Sequence, residues 1–189
     1  MSTKSEASSV DARSSRPLSV SVHAARLDYG EAPLFEDLDI TLPAGQWTCL
    51  LGPSGVGKTT LLRLIAGLEP GAAGTRIVTS DGRPLAGRVA WMGQQDLLLP
   101  WLSAVDNAIL GAQLRGEPDP EREHRGAAIE LLMRVGLAGR LAARPAELSG
   151  GQRQRVALVR TLMEDRPVIL DRKSTRLNSS HVSESRMPS

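Results

Sequence analysis

The spacing of apolar residues changes along the chain, and each spacing predicts a different kind of element. Alternating apolar and polar positions over residues 18–30 predict an edge strand, and the same alternation over 34–42 predicts a second strand. The run WTCLLG over 47–52 is almost entirely apolar, which is typical of a central strand buried on both faces. Cys49 lies within this run, so we expect a buried and unreactive thiol.

Helical spacing begins after a glycine-rich segment. The sequence TTLLRLIAGL, residues 59–68, predicts a helix that is ended by Glu69, Pro70 and Gly71. Two short strands are expected on either side of the Asp81-Gly82 turn.

The second half of the chain is predicted to be mainly helical. Helices are expected between Trp101 and Arg140, with Ser103 as an N-cap, and a last helix over 151–163 precedes the strand PVIL at 167–170. This order of elements indicates an α/β fold with an antiparallel β edge and an inserted α-helical subdomain.

Composition and charge limit the possible partners. The chain has 189 residues, with 23 Lys and Arg against 21 Asp and Glu. Residues 171–189 hold four of the basic and two of the acidic residues, so residues 1–170 retain 19 of each and are neutral. This balance argues against nucleic acid as a partner. No apolar run reaches the roughly 18–20 residues that cross a bilayer, and the single cysteine excludes an internal disulfide.

These patterns predict three regions. Residues 1–17 are polar and Ser-rich with no apolar centre, which predicts a flexible segment rather than a secretory signal. One domain is expected over 18–170, with the helical subdomain at about 101–160, and a separate tail over 171–189.

The segment GPSGVGKTT fits the phosphate-binding spacing G-x-x-x-x-G-K-[ST]. Glycines allow successive N–H groups to turn toward an anion, and the N-terminus of the following helix adds positive partial charge. Lys58 can reach the β- and γ-phosphates of a nucleotide, and the Thr59 hydroxyl can bind Mg²⁺. The nucleotide-binding residues predicted here are Gly52, Pro53, Ser54, Gly55, Val56, Gly57, Lys58, Thr59 and Thr60.

A second glycine segment, LSGGQRQR, spans Leu148 to Arg155. Ser149 and Gln152 have the spacing of a capping box, which explains those two residues as the start of a helix. It leaves Gly150 and Gly151 unexplained, because each glycine costs a helix about 1 kcal/mol relative to alanine. A second phosphate contact at a helix N-terminus would explain them, since it requires close approach to the backbone.

Together these motifs resemble the ATP-binding subunits of ABC transporters over roughly residues 18–170. GPSGVGKTT resembles the Walker A loop, and LSGGQ resembles the ABC signature of this family. The resemblance implies a RecA-like P-loop NTPase core, ATP and Mg²⁺ as cofactors, and ATP hydrolysis coupled to transport. It also implies that Tyr29 stacks on adenine, which an aromatic ring face suits.

The resemblance assigns a catalytic and metal-binding role to Gln94. In the family, a glutamine in this loop contacts Mg²⁺ and the attacking water and relays to the membrane partner. The sequence MGQQDLLLPW contains two candidates, and the spacing to LPW favours Gln94 over Gln95. Lys58 is the other residue expected to act in catalysis.

The resemblance further implies a head-to-tail dimer, in which Ser149, Gly150, Gly151 and Gln152 of one copy close the ATP site of the other. Transmembrane permease subunits and a solute-binding protein would be the other partners, with this subunit on the inner face of the membrane. The stretch from Leu97 to Gly116 is most similar to importers for nitrate, sulfonate, taurine, pyrimidine or thiamine precursors.

The residues after Leu170 depart from the family pattern. The family places an aspartate and then a glutamate after this strand, whereas here Asp171 is followed by Arg172 and Lys173. Asp171 is either the Walker B aspartate after a shortened strand, or the start of a non-native tail on a truncated subunit. One back-translation of 171–181 and of 185–189 resembles a sequencing adapter, which favours the second interpretation. Neither interpretation provides a general base or makes His181 a switch histidine, so we expect little hydrolysis.

Other classes use parts of the same pattern. A nucleotide kinase or GTPase would share the phosphate loop but not LSGGQ. An ABC-type ATPase that is not coupled to transport would share both motifs, and it remains the alternative function at this point. The single cassette and its neutral charge argue against a role on nucleic acid.

Overall fold

The computed structural model describes residues 16–29, 32–71, 73–117 and 120–172, and at 28, 29, 32 and 120–122 it describes the backbone alone. The predicted flexible segment 1–17 lies almost entirely outside the described residues. The predicted tail does too, from Lys173 onward, and so does His181.

Three antiparallel strands form the first sheet. They are β1 (Val20–Tyr29), β2 (Ala32–Leu42) and β3 (Arg76–Thr79), in the order β2-β1-β3. The alternation over both long strands is confirmed: in β1, Val20 and Val22 are buried while Ser21 is more exposed, and in β2, Ile40 is half-buried between the exposed Asp39 and Thr41. The prediction that the first strand is an edge strand was wrong, because β3 pairs with the side of β1 that β2 leaves free.

The second sheet is a parallel pair. Strand β4 (Val89–Met92) pairs with β5 (Val168–Asp171), with Val89 opposite Val168 and Met92 opposite Asp171. The strands predicted on either side of Asp81-Gly82 are therefore present, but they belong to different sheets. The carboxyl ends of β4 and β5 lie at the same edge, as parallel pairing requires.

Helix α1 (Lys58–Ile65) packs between these two sheets. Leu61, Leu64 and Ile65 form one core cluster with Val20 and Val22 of β1 and with Val168 and Leu170 of β5. The helix ends earlier than predicted, because Gly67 adopts a left-handed φ of 72° and the Leu68 N–H donates to the Arg63 carbonyl at 2.9 Å.

Three helices form a separate core. They are α2 (Ala104–Leu114), α3 (Pro120–Arg134) and α4 (Gly150–Leu162), with short 3₁₀ turns at Ala138–Arg140 and Pro145–Glu147. Ile109, Leu132, Leu137 and Val156 are fully buried at their centre. Ser103 caps α2 as predicted, since its Oγ accepts the Asp106 N–H at 3.1 Å. The helical insertion between β4 and β5 is therefore confirmed.

The segment 47–52 corrects two predictions. It forms no strand, and among these described residues only Leu50 is half-buried against the core, while Trp47 is 93% and Leu51 84% exposed. Cys49 is likewise exposed rather than buried. An apolar run becomes a central strand only where neighbouring strands pair with its backbone, and none of β1 to β5 pairs with this one.

Candidate functional site

The phosphate loop curls back on itself before α1. Gly55 and Gly57 adopt φ values of 85° and 93°, which residues with a Cβ rarely reach. Gly57 is also the N-cap of α1, and a Cβ there would lie 2.9 Å from the Leu34 side chain of β2. Glycine at 57 is therefore required twice, by its backbone angle and by the space that Leu34 occupies.

Lys58 lies over this loop. Its Nζ donates hydrogen bonds to the carbonyl oxygens of Gly52 and Pro53, both at 2.7 Å. These bonds hold the ammonium group beside the loop backbone, where it would meet an anion bound to the loop N–H groups. Residues 52–56 are exposed, and Thr59 and Thr60 are half-buried in the first turn of α1. The loop is open to solvent, with the Lys58 ammonium group held at its backbone.

The LSGGQ segment starts α4 with the predicted capping box. The Ser149 N–H donates to Gln152 Oε1 at 2.8 Å, and the Gln152 N–H donates to Ser149 Oγ at 3.3 Å. Gly150 and Gly151 occupy the first two helical positions, and both are exposed. A Cβ at Gly151 would meet nothing within 4 Å. Internal packing therefore does not explain the two glycines, which leave the backbone open at this helix start.

Gln94 lies just beyond β4 and faces this helix start. Gln94, Gln95, Asp96 and Leu97 line one side of an open cleft of about 460 Å³, and Gly150, Gly151, Arg153 and Gln154 line the other. The structure thus brings together two of the segments singled out from the sequence. Gln94 and Gln95 are both exposed there, so the geometry does not choose between them.

Asp171 lies at the same edge of the β4–β5 pair as Gln94. Strand β5 includes Asp171, and the ladder continues with the Arg172 N–H donating to the Met92 carbonyl at 2.9 Å. Asp171 and Gln94 both line a second, much smaller cavity with Gln154. A carboxylate and an amide oxygen therefore lie at one sheet edge.

Other predicted site residues are not brought into these clefts. Residues 52–60 line neither of the two cavities. Tyr29 is the last residue of β1 and its backbone pairs with Ala32, while its side chain lies outside the described part of the structure. Adenine stacking by Tyr29 stays a prediction.

Several residues that order this region were not predicted from the sequence. Asn107 is fully buried in α2, where its Nδ2 donates to the carbonyls of Leu99, Leu102 and Ser103 and its Oδ1 accepts the Leu99 N–H at 2.8 Å. The sequence feature that could have predicted this role is an asparagine on the apolar face of a predicted helix, because a buried amide needs hydrogen-bond partners.

One further group has metal-ligand spacing, but Glu117 within it is already bonded to Arg115 and His124. Glu117, Glu123 and His124 place their ligand atoms within 4.8 Å of one another. Arg115 donates to Glu117 at 2.6 Å, and His124 lies 2.6 Å from the other Glu117 oxygen. The hydrogen bond from Arg115, followed by that from His124, lowers the pKa of Glu117. Since Arg115 also pairs with Glu164, this group is an ion-pair network joining the ends of the three helices.

Comparison with known proteins agrees with the motifs. The family model for the ABC transporter matches residues 35–171. The aliphatic sulfonates import ATP-binding protein SsuB 1 of Rhodococcus jostii (strain RHA1) is 47% identical over 143 residues, which are 75% of this chain and 54% of that protein. SsuB 2 of Burkholderia cenocepacia (strain HI2424) is 41% identical over 82% of this chain and 55% of its own length.

A solved structure has the same fold. It is described as a dimeric post-hydrolysis state of the ATP-binding cassette MJ0796 bound to ADP and Pi, with a TM-score of 0.64 and 27% identity. The match covers 80% of this chain and 72% of that one. The chain therefore belongs to the ABC transporter family, and the predicted α/β class of P-loop NTPase is confirmed.

Two facts limit what the family assignment covers. The chain spans about half the length of the first curated relatives it matches. Within the described residues, no helix combines the length and the apolar character needed to cross a membrane.

Proposed function

We propose that the chain is the ATP-binding part of a subunit that powers solute import through a membrane permease. The observation that carries this proposal is the loop at 52–58, with its left-handed glycines and with Lys58 held over the loop carbonyls. Residues 52–60 cradle the triphosphate, and Tyr29 stacks on adenine. The names of the two SsuB relatives favour an aliphatic sulfonate as the solute.

A second copy of the chain completes the nucleotide site in this proposal. The exposed Gly150 and Gly151 approach the ATP of the other copy, and Ser149 and Gln152 flank them. The structural neighbour described as dimeric supports this arrangement. Permease subunits and a solute-binding protein are the remaining partners, so the protein acts at the inner face of the membrane.

Mg²⁺ accompanies the nucleotide in this proposal. The candidate donors are the Thr59 hydroxyl and the Gln94 amide oxygen, which lie on separate segments, and Asp171 offers a carboxylate at the same sheet edge as Gln94. An all-oxygen donor set fits a hard cation such as Mg²⁺. When bound, the ion neutralises charge on the β- and γ-phosphates. Lys58 adds a fixed positive charge, and Gln94 orients the attacking water.

The nucleotide proposal is tested by titrating the chain with a fluorescent ATP analogue, mant-ATP, in the presence of Mg²⁺. Lys58→Ala should weaken binding about 10- to 100-fold, because it removes a charge-assisted hydrogen bond to phosphate. Arg63→Ala is the matched control, since it removes an exposed cation from the last turn of the same helix. Equal affinity of the wild-type chain and Lys58→Ala, or no binding at all, would contradict the proposal.

The 189-residue chain should hydrolyse ATP very slowly. Arg172 occupies the position after Asp171, where the family has a glutamate that polarises the attacking water, so a general base is missing. Phosphate release with Mg²⁺ and ATP should match that of Lys58→Ala. Robust Mg²⁺-dependent release that Lys58→Ala abolishes would refute the missing-base argument while leaving ATP binding intact.

A further inference from the structure

Two arginines of α4 hold the segment that follows Gln94. Arg153 Nε donates to Asp96 Oδ2 at 3.0 Å. Two turns further along the helix, Arg160 donates to the carbonyls of Asp96 at 2.6 Å and Leu97 at 2.8 Å. The backbone of 96–97 and the Asp96 carboxylate are therefore both bonded to one face of α4.

Arg153 also contacts the LSGGQ segment. Its Nη1 donates to the Leu148 carbonyl at 2.8 Å, one residue before the N-cap Ser149. One guanidinium group thus bonds to the backbone before the signature and to the carboxylate two residues beyond Gln94. A planar group with several fixed donors suits this double contact, which the point charge of lysine would not reproduce.

These contacts are partly shielded from solvent. Arg160 is half-buried, and this burial lowers the pKa of its guanidinium. The side chains of Asp96 and Arg153 are only 28% and 37% exposed. Asp96 Oδ1 accepts the Leu98 N–H at 3.3 Å, so the same carboxylate also orders its own loop. Leu98 in turn packs into the helical core.

We propose that Asp96 and Arg153 are positioning residues that make the 94–98 segment and the 148–153 segment move as one unit. The functional consequence of this link rests on the function proposed above. In a head-to-tail dimer, the Gln94 segment of one copy faces its own ATP, and its LSGGQ segment faces the ATP of the other copy. The Asp96–Arg153 pair would then link the two nucleotides within each subunit.

Hydrogen–deuterium exchange of the nucleotide-free chain tests this link directly. Asp96→Asn removes the charge but keeps an oxygen that can accept the Leu98 N–H. Its effect is measured as the exchange rate of the Gln152 and Arg153 backbone amides. Arg153→Gln is read at the Leu98 and Leu99 amides. Coupling is reciprocal, so each change should speed exchange in the other segment by a similar factor, about two- to fivefold for a partly exposed ion pair.

Matched variants separate this effect from general loosening. Arg155→Gln removes an exposed arginine from the same helix and should leave exchange at 98–99 unchanged. The Asp96→Asn/Arg153→Gln double variant should exchange no faster than either single variant, because both remove the same interaction. Arg153→Lys keeps the charge and should recover part of the protection at Leu98.

The contrary result is an effect confined to the mutated segment, or additive effects in the double variant. Either would show that the two segments move independently. If Arg153→Gln unfolds, the same comparison is made with Arg153→Lys and Asp96→Asn. Absence of protection by ATP at 52–59 in the wild-type chain would refute the proposed function. The reciprocal effects of the two variants on exchange in the nucleotide-free chain test this inference alone.

Discussion

At the scale of single residues, Gly57 shows how closely the phosphate loop depends on a neighbouring strand. Its positive φ would be strained for any residue with a side chain, and Leu34 of β2 occupies the space beside its hydrogens. Gly67 has a similar positive φ, but a Cβ there would meet nothing within 4 Å. A side chain at Gly67 would therefore introduce backbone strain alone, whereas one at Gly57 would introduce backbone strain and steric overlap.

We predict that Gly57→Ala destabilises the chain more than Gly67→Ala. Gly67→Ala should lower the free energy of unfolding by about 1 kcal/mol, the cost of a left-handed alanine. Gly57→Ala should cost about 1–3 kcal/mol more, because Leu34 must also move. Urea unfolding of both variants measures the difference. Equal losses would show that Leu34 yields without cost and that only the backbone angle matters.

The residues proposed to bind phosphate could be picked out from the sequence, whereas the Asp96–Arg153 contact beside the LSGGQ segment could not. Lys58 and Gly57 occupy fixed positions in a contiguous motif whose chemistry dictates each residue type. Asp96 and Arg153 are 57 residues apart, and their contact depends on how α4 packs beside the end of β4. An aspartate and an arginine at such a distance carry no local signal of pairing.

At the scale of elements, α4 begins with two residues that weaken it. Gly150 and Gly151 are poor helix formers, and neither fills a tight space within the chain. The capping box of Ser149 and Gln152 offsets part of this cost. The start of α4 is therefore less stable than that of a helix of the same length without the glycines. This is the point where the proposed ATP contact requires open backbone.

We predict that Gly151→Ala stabilises the free chain and weakens its response to ATP. The gain should be up to about 1 kcal/mol in free energy of unfolding, because alanine forms helix more readily than glycine. Gly126→Ala, at an open position in α3, is the matched control and should stabilise without affecting ATP. Thermal unfolding with and without ATP measures both effects. An unchanged ATP-induced shift in Gly151→Ala would remove the reason proposed for the glycines.

Elements were predicted well where local spacing determines them and poorly where pairing does. The helices α2 and α4 begin where their caps predicted, at Ser103 and Ser149. The run at 47–52 has the composition of a buried strand but lacks a paired neighbour, and all of it except Leu50 is exposed. Composition can predict that a segment would be buried, but it cannot supply the strand beside it.

At the scale of the whole molecule, the described residues form two hydrophobic cores. The phosphate loop leads into α1, which packs in the core with the two sheets, and the LSGGQ segment is anchored to the three-helix core through Leu148. The segment 94–98 leaves the first core and enters the second through Leu98. The segment therefore connects the two cores, and Arg153 and Arg160 of α4 bond to it.

The central claim is that residues 52–59 hold a triphosphate that the LSGGQ segment of a second copy closes. Hydrogen–deuterium exchange of the chain with and without Mg²⁺ and ATP tests it most directly. We predict that ATP slows exchange at 52–59 at all protein concentrations. At 149–152 we predict that the protection by ATP increases with protein concentration. Unchanged exchange at 52–59 under saturating ATP would contradict the account.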